Sequence, residues 1–171
     1  MNYFDLKVGF SCNNDCIHCV VTDKRDTKDS STEEIKAIID NIPKDTIVGF
    51  TGGEPTIRKD FIELLKYCKE KGHKTALQTN GVKFENYEFA YEVSLYLDSV
   101  LIAIHSHDQR IHDSIVGGVG MFNSTIKGFK NIIKIGIDCN TQTVMSSLNI
   151  GQLLKTYDFI QSIAPGMRMN L

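Results

Sequence analysis

The chain has 171 residues, of which 42% are hydrophobic, 23% charged and only three proline. That is an ordinary soluble composition, with length for one domain and a real core. A net charge of −2 without a basic tract advertises no phosphate-reading surface for nucleic acid, although a recessed basic site is left open. No stretch approaches the roughly 20 apolar residues that span a bilayer, and no basic start precedes an apolar run as in a targeting segment. The expected location is cytoplasmic, with no membrane partner.

Strand and helix signals alternate from end to end. Residues 1–10 alternate like a strand, strongest over 4–10. Residues 31–42 have Ile35, Ile38, Ile39 and Ile42 at helical spacing, with Thr32 offering a cap. A short apolar strand follows at 46–51. The helix at 59–71 carries Phe61, Leu64, Leu65 and Cys68 on one face and closes at Gly72. Further expectations are a strand at 74–79, a helix at 85–97 and a strand at 99–105. A helix at 123–135 then closes at Gly136, followed by a strand at 137–144, a helix at 150–163 and a last strand at 167–171.

Six strand–helix units without a linker predict one domain over 1–171, in the α/β class. Alternating units imply a parallel sheet with right-handed crossovers. Eight such units in about 250 residues close a full barrel; six in 171 predict a partial, three-quarter (βα)6 TIM-like barrel. The chain stops within its last strand signal, which fits either a minimal domain or a C-terminally truncated fragment.

Five cysteines without a secretory signal argue against a disulfide framework. Cys12, Cys16 and Cys19 form a C-x3-C-x2-C run directly after the first strand. Thiolates are soft ligands for iron–sulfur clusters, zinc or copper(I). Three of them on one loop can hold three irons of a cubane and leave the fourth open to a substrate. A structural zinc site is the competing reading. It would need a fourth ligand from His18, His105, His107 or His112, and structural zinc usually takes its ligands in two pairs. Cys68 lies on an apolar helical face and Cys139 in a strand, and both are expected to be core thiols.

A second motif, Thr51-Gly52-Gly53-Glu54-Pro55, ends the second strand signal, and a third, Gln78-Thr79-Asn80-Gly81, ends the third. Alone, each could be a simple turn. Together with the cysteine run they resemble the radical S-adenosylmethionine (radical SAM) superfamily, over residue 4 to the end.

That resemblance implies a [4Fe–4S] cluster on Cys12, Cys16 and Cys19, with SAM chelating the open iron. Gly52, Gly53 and Glu54 would hold the methionyl end. It implies one-electron cleavage of SAM to methionine and a 5′-deoxyadenosyl radical, which abstracts hydrogen from a substrate. The electron would come from a reductant such as flavodoxin or ferredoxin. His18 stands where the family often has an aromatic residue along the adenine. Ala103 takes the place of a serine that often contacts SAM, so His105 is the better inward-pointing candidate on that strand. Gln78 and Asn80 are candidates for the SAM or substrate wall, and Gln142 is a further one. His105, His107, Asp108, His112 and Asp113 could bind a second metal, but they read better as a polar loop with His112-Asp113 capping the next segment. No catalytic acid or base is identifiable. The implied substrate is a peptide, cofactor precursor or other metabolite. The rivals are a glycyl-radical-enzyme activase, a zinc-stabilised binding module, and a barrel whose cluster only transfers electrons.

Overall fold

The computed structural model describes residues 2–171; Met1, at the start of the alternation read as a strand, lies outside the described residues. Six strands form: β1 (Asn2–Lys7), β2 (Thr46–Thr51), β3 (Lys74–Thr79), β4 (Ser99–Ala103), β5 (Asp138–Gln142) and β6 (Met169–Asn170). They pair in the order β1-β2-β3-β4-β5-β6, every pair parallel. Each crossover therefore steps one strand in the same direction. With right-handed connections, all helices then land on one face. The sheet is open, with β1 and β6 as its edges among the described residues. This is the partial barrel that the alternation predicted.

The helices are α1 (Thr32–Asp40), α2 (Phe61–Glu70), α3 (Tyr87–Ser94), α4 (Gln109–Val116), α5 (Met121–Ile135) and α6 (Leu153–Ile163). Their apolar stripes meet alternate strand residues. Leu6, Val48, Phe50, Leu77, Val100 and Ile102 form one buried layer with Ile35, Ile39, Phe61, Leu64, Phe129 and Ile132. The intervening strand positions line the opposite, inner face. There the exposed Asp5, Lys7, Lys74 and Asp138 stand beside the apolar Ile47, Ala76, Leu101 and Ala103, so the inner wall is mixed in polarity.

β2 and β3 have the expected bounds, and the other differences have local causes. β1 stops at Lys7 because the Phe10 and Ser11 N–H groups donate to the Asp29 carboxylate instead of a neighbouring strand. Ser31, not Thr32, caps α1, in a reciprocal capping box with Glu34; the Thr32 hydroxyl donates to Asp60. The helix expected at 85–97 divides into a 3₁₀ turn, Val82–Glu85, and α3, because the Asn86 side chain caps a new helix start. Residues 109–116, expected as a polar loop, form α4, with Asp108 as its cap and Ile111, His112, Ile115 and Val116 at helical spacing. Asp113 does cap the next segment, accepting from the Gly120 and Phe122 N–H groups at the start of α5, whereas His112 is buried. Cys68 and Cys139 are buried, as expected of core thiols.

Candidate active site

The C-terminal ends of β1 to β5 open onto one cavity of about 380 Å³. That is the end at which parallel α/β sheets gather their functional loops. Cys12, Cys16, Cys19 and His18 reach the cavity from the loop after β1. Gly52, Gly53 and Glu54 reach it from the turn after β2, Gln78 and Asn80 from β3 and its turn, and His105 and Gln142 from β4 and β5. Every residue named as a candidate for the cluster or for SAM thus lines the same space, whereas of the suggested second metal set only His105 does. Ala103 lines it too, while His107, His112 and Asp113 do not.

The cysteine loop is held at its stem and its tip. At the stem, Asp29 accepts from Phe10 and Ser11, and Arg58 donates to the carbonyls of Val8 and Ser30 while pairing with both oxygens of Asp60. Gly53 N–H donates to Gly9 O, and Glu54 N–H to Ser11 O. A Cβ on Gly52 would lie 2.1 Å from Gly9 O, and one on Gly53 2.3 Å from Ser11 O. The glycine pair therefore lets two main chains pass in contact. At the tip, Asp15 and Ile17 N–H donate to the carbonyls of Val116 and Ile115, at the end of α4. The Asn80 amide also donates to Asn13 Oδ1 at 2.7 Å, tying the third motif to the first.

The three thiols are electrostatically unlike. Burial, with the neighbouring Cys12 and Cys19, pushes Cys16 up to about 11, and burial also raises Cys12. Cys19 feels burial too, but the nearby Val21 N–H and the adjacent Arg25 guanidinium bring it below the usual thiol value. Among the described residues, no three His, Cys, Asp or Glu side chains are gathered as ligands of a single ion. The three thiols line one cavity.

Glu54 is 2% exposed. Its Oε1 accepts from Thr56 N–H and from the hydroxyls of Thr56 and Thr79, and its Oε2 accepts from Asn80 N–H. Burial raises its pKa despite these donors. The carboxylate is thus largely engaged by the protein and joins the ends of β2 and β3. Asn80 is engaged likewise, its Oδ1 accepting from Val82 N–H.

The histidines form a ladder leading inward from the cavity. His18 meets His105 edge to face with ring centroids 4.7 Å apart, and His105 N–H donates to His112 Nδ1 at 3.2 Å. His105 Nδ1 accepts from Val144 N–H. Burial, with the adjacent His112 and His18, lowers His105 to about 3; burial lowers His112 to about 4. Both are neutral imidazoles. The fully buried Asn149, unnoticed in the sequence, donates to the carbonyls of His105 and Val144 and accepts from Ser146 N–H. Asn14 and Arg25 also line the cavity and were missed. Neither the x positions of the cysteine motif nor a charged residue beyond it carry a signal in one sequence.

The Radical SAM superfamily model matches residues 6–160. The Fe-coproporphyrin III synthase of Methanosarcina barkeri is 29% identical over 162 residues, covering 88% of this chain and 38% of that protein. The mycofactocin maturase MftC of Mycolicibacterium smegmatis is 32% identical over 150 residues, covering 84% and 38%. The chain thus spans well under half the length of these relatives. Among solved structures, native anSMEcpe with bound AdoMet superposes with a TM-score of 0.79 at 18% identity, covering 99% of this chain and 51% of that one. Streptococcus suis SuiB bound to its precursor peptide SuiA gives 0.75 at 21%, covering 94% and 37%.

Proposed function

The chain belongs to the radical SAM superfamily, whose enzymes use a [4Fe–4S] cluster and SAM, and from that premise we propose that Cys12, Cys16 and Cys19 each bind one iron of the cluster. The observation that carries this reading is the convergence of all three sequence motifs on one cavity at the C-terminal ends of the strands. A cubane takes each thiolate on a different iron, so it suits three thiols that line one space. When bound, the cluster and SAM supply a one-electron cleavage that yields a radical able to take hydrogen from carbon.

This chain's residues bind, orient and shield. The Gly52 and Gly53 carbonyls receive no protein hydrogen bond among the described residues, which leaves them, beside Glu54, to accept from the methionyl ammonium. His18 and His105 form an apolar-faced, neutral wall, whereas Gln78 and Gln142 offer amides on the inner face. The exposed Asp5, Lys7, Lys74 and Asp138 of that face favour a polar substrate. SuiB and anSMEcpe are both recorded with bound peptides, and we assign a peptide or cofactor precursor as the substrate class. Ile17 and Val20, exposed beside the cysteines, offer a landing point to a flavodoxin or ferredoxin. No helix of the described residues is long and apolar enough to cross a membrane. Five free cysteines suit a reducing cytoplasm.

The test is anaerobic reconstitution with iron and sulfide, followed by dithionite and SAM. About four irons per chain and 5′-deoxyadenosine by mass spectrometry are expected, and both are lost in Cys16→Ala. A colourless protein that retains zinc and leaves SAM intact overturns the proposal.

A further inference from the structure

Two donors on the cavity wall are unused by that reading. Asn14 is 6% exposed, and neither its Nδ2 nor its Oδ1 has a protein partner. Its main-chain N–H donates to Cys12 Sγ at 3.4 Å, so the residue folds back over the thiol it follows. A leucine would fill the same buried volume without stranding an amide, and a stranded amide is destabilising unless something else receives it. Arg25 donates through Nη1 to Asp15 at 2.6 Å, while its Nε and Nη2 are buried and unpartnered. Its guanidinium stands beside Cys19. Both side chains line the cavity that holds the three thiols. Unspent N–H groups therefore flank the first and the last cysteine of the motif.

We propose that Asn14 and Arg25 donate hydrogen bonds to the sulfur atoms of the cluster and so hold its reduction potential up. The proposal rests on the cluster being carried by Cys12, Cys16 and Cys19. Reduction adds an electron to a cubane already surrounded by three thiolates. Hydrogen bonds to sulfur and a nearby cation favour that added charge. The buried Glu54 carboxylate opposes it. Asp15 offsets Arg25 only in part, because its side chain is 75% exposed and its charge is screened.

The experiment is a potentiometric titration of the reconstituted protein, followed by the electron paramagnetic resonance signal of the reduced cluster. The variants are Asn14→Leu, Arg25→Gln and Arg25→Lys. Arg25→Gln is expected to make reduction about tenfold less favourable, a downward shift of about 59 mV for one electron. Asn14→Leu is expected to shift it several-fold in the same direction, and Arg25→Lys to keep most of the wild-type value. Iron and sulfide per chain should match wild type in Arg25→Gln, which separates tuning from loss of assembly. Unchanged potentials in Arg25→Gln and Asn14→Leu overturn the proposal while leaving the cluster reading intact. A shift that appears only when SAM is present also overturns it, because the donors then serve SAM. A wild-type protein that assembles no cluster overturns the ligand assignment itself.

Discussion

Glu54 carries more of the fold than its place in a ligand-binding motif suggests. Its two oxygens gather donors from the end of β2 and from the Thr79-Asn80 turn, so one side chain sets the spacing of two motif segments. Hydroxyls can rotate, but backbone N–H groups cannot change role. Glu54→Gln must place its NH2 against either Asn80 N–H or Thr56 N–H, setting donor against donor in a buried site. The expected cost is about 1–3 kcal/mol, read as a lower urea midpoint at an unchanged m-value. Wild-type stability in that variant would show that the carboxylate is not held as an ionised acceptor. From the sequence, Gly-Gly-Glu was legible as a motif and as a place for a ligand. Its internal hydrogen bonds were not, because they depend on which turn of β3 comes alongside.

α4 shows how an element escapes a sequence reading and yet positions the site. It has eight residues, five of them polar, and follows the His105–Asp108 segment, so polarity hid the spacing of Ile111, Ile115 and Val116. Its C-terminal carbonyls receive Asp15 and Ile17 of the cysteine loop. Gly117 ends it at φ 70°, and a Cβ there would lie 2.3 Å from Asp15 O. Gly117→Ala therefore pays the left-handed penalty of about 1–2 kcal/mol and also pushes the loop away. Gly136 ends α5 at φ 89° with nothing within 4 Å of its Cβ position, so Gly136→Ala pays the penalty alone. Iron loading after reconstitution should fall severalfold in Gly117→Ala and stay at the wild-type level in Gly136→Ala. Equal loading in both would mean that the α4 contact does not shape the loop.

At the scale of the whole molecule, the parallel order and the open barrel followed from alternating periodicity, and β2 and β3 even kept their expected ends. The inward packing of the fourth βα connection followed for His105, the inward-pointing candidate on its strand, but not for His112, which looked like a polar loop residue; they are 3% and 1% exposed. That burial sets how global stability responds to acid. Burial first, and then neighbouring histidines, lower His105 from 6.5 to about 3; burial lowers His112 from 6.5 to about 4. Between those values the unfolded chain binds protons that the folded one refuses, so stability rises with pH. The contribution is complete above about pH 6.5 and is lost as pH falls toward 4. Each histidine adds a slope of up to about 1.4 kcal/mol per pH unit. Carboxylates held below 3.8, such as Asp29, Asp60 and Asp98, act at lower pH; Glu54, raised above 4.5 by burial, opposes the histidines within this window. Denaturant unfolding of the cluster-free protein at pH 7.5, 6 and 5 should show the loss. His112→Gln keeps an acceptor for His105 N–H but does not titrate, and it should flatten the slope by about half. A wild-type slope in that variant would place the acid-sensitive group elsewhere in the fold.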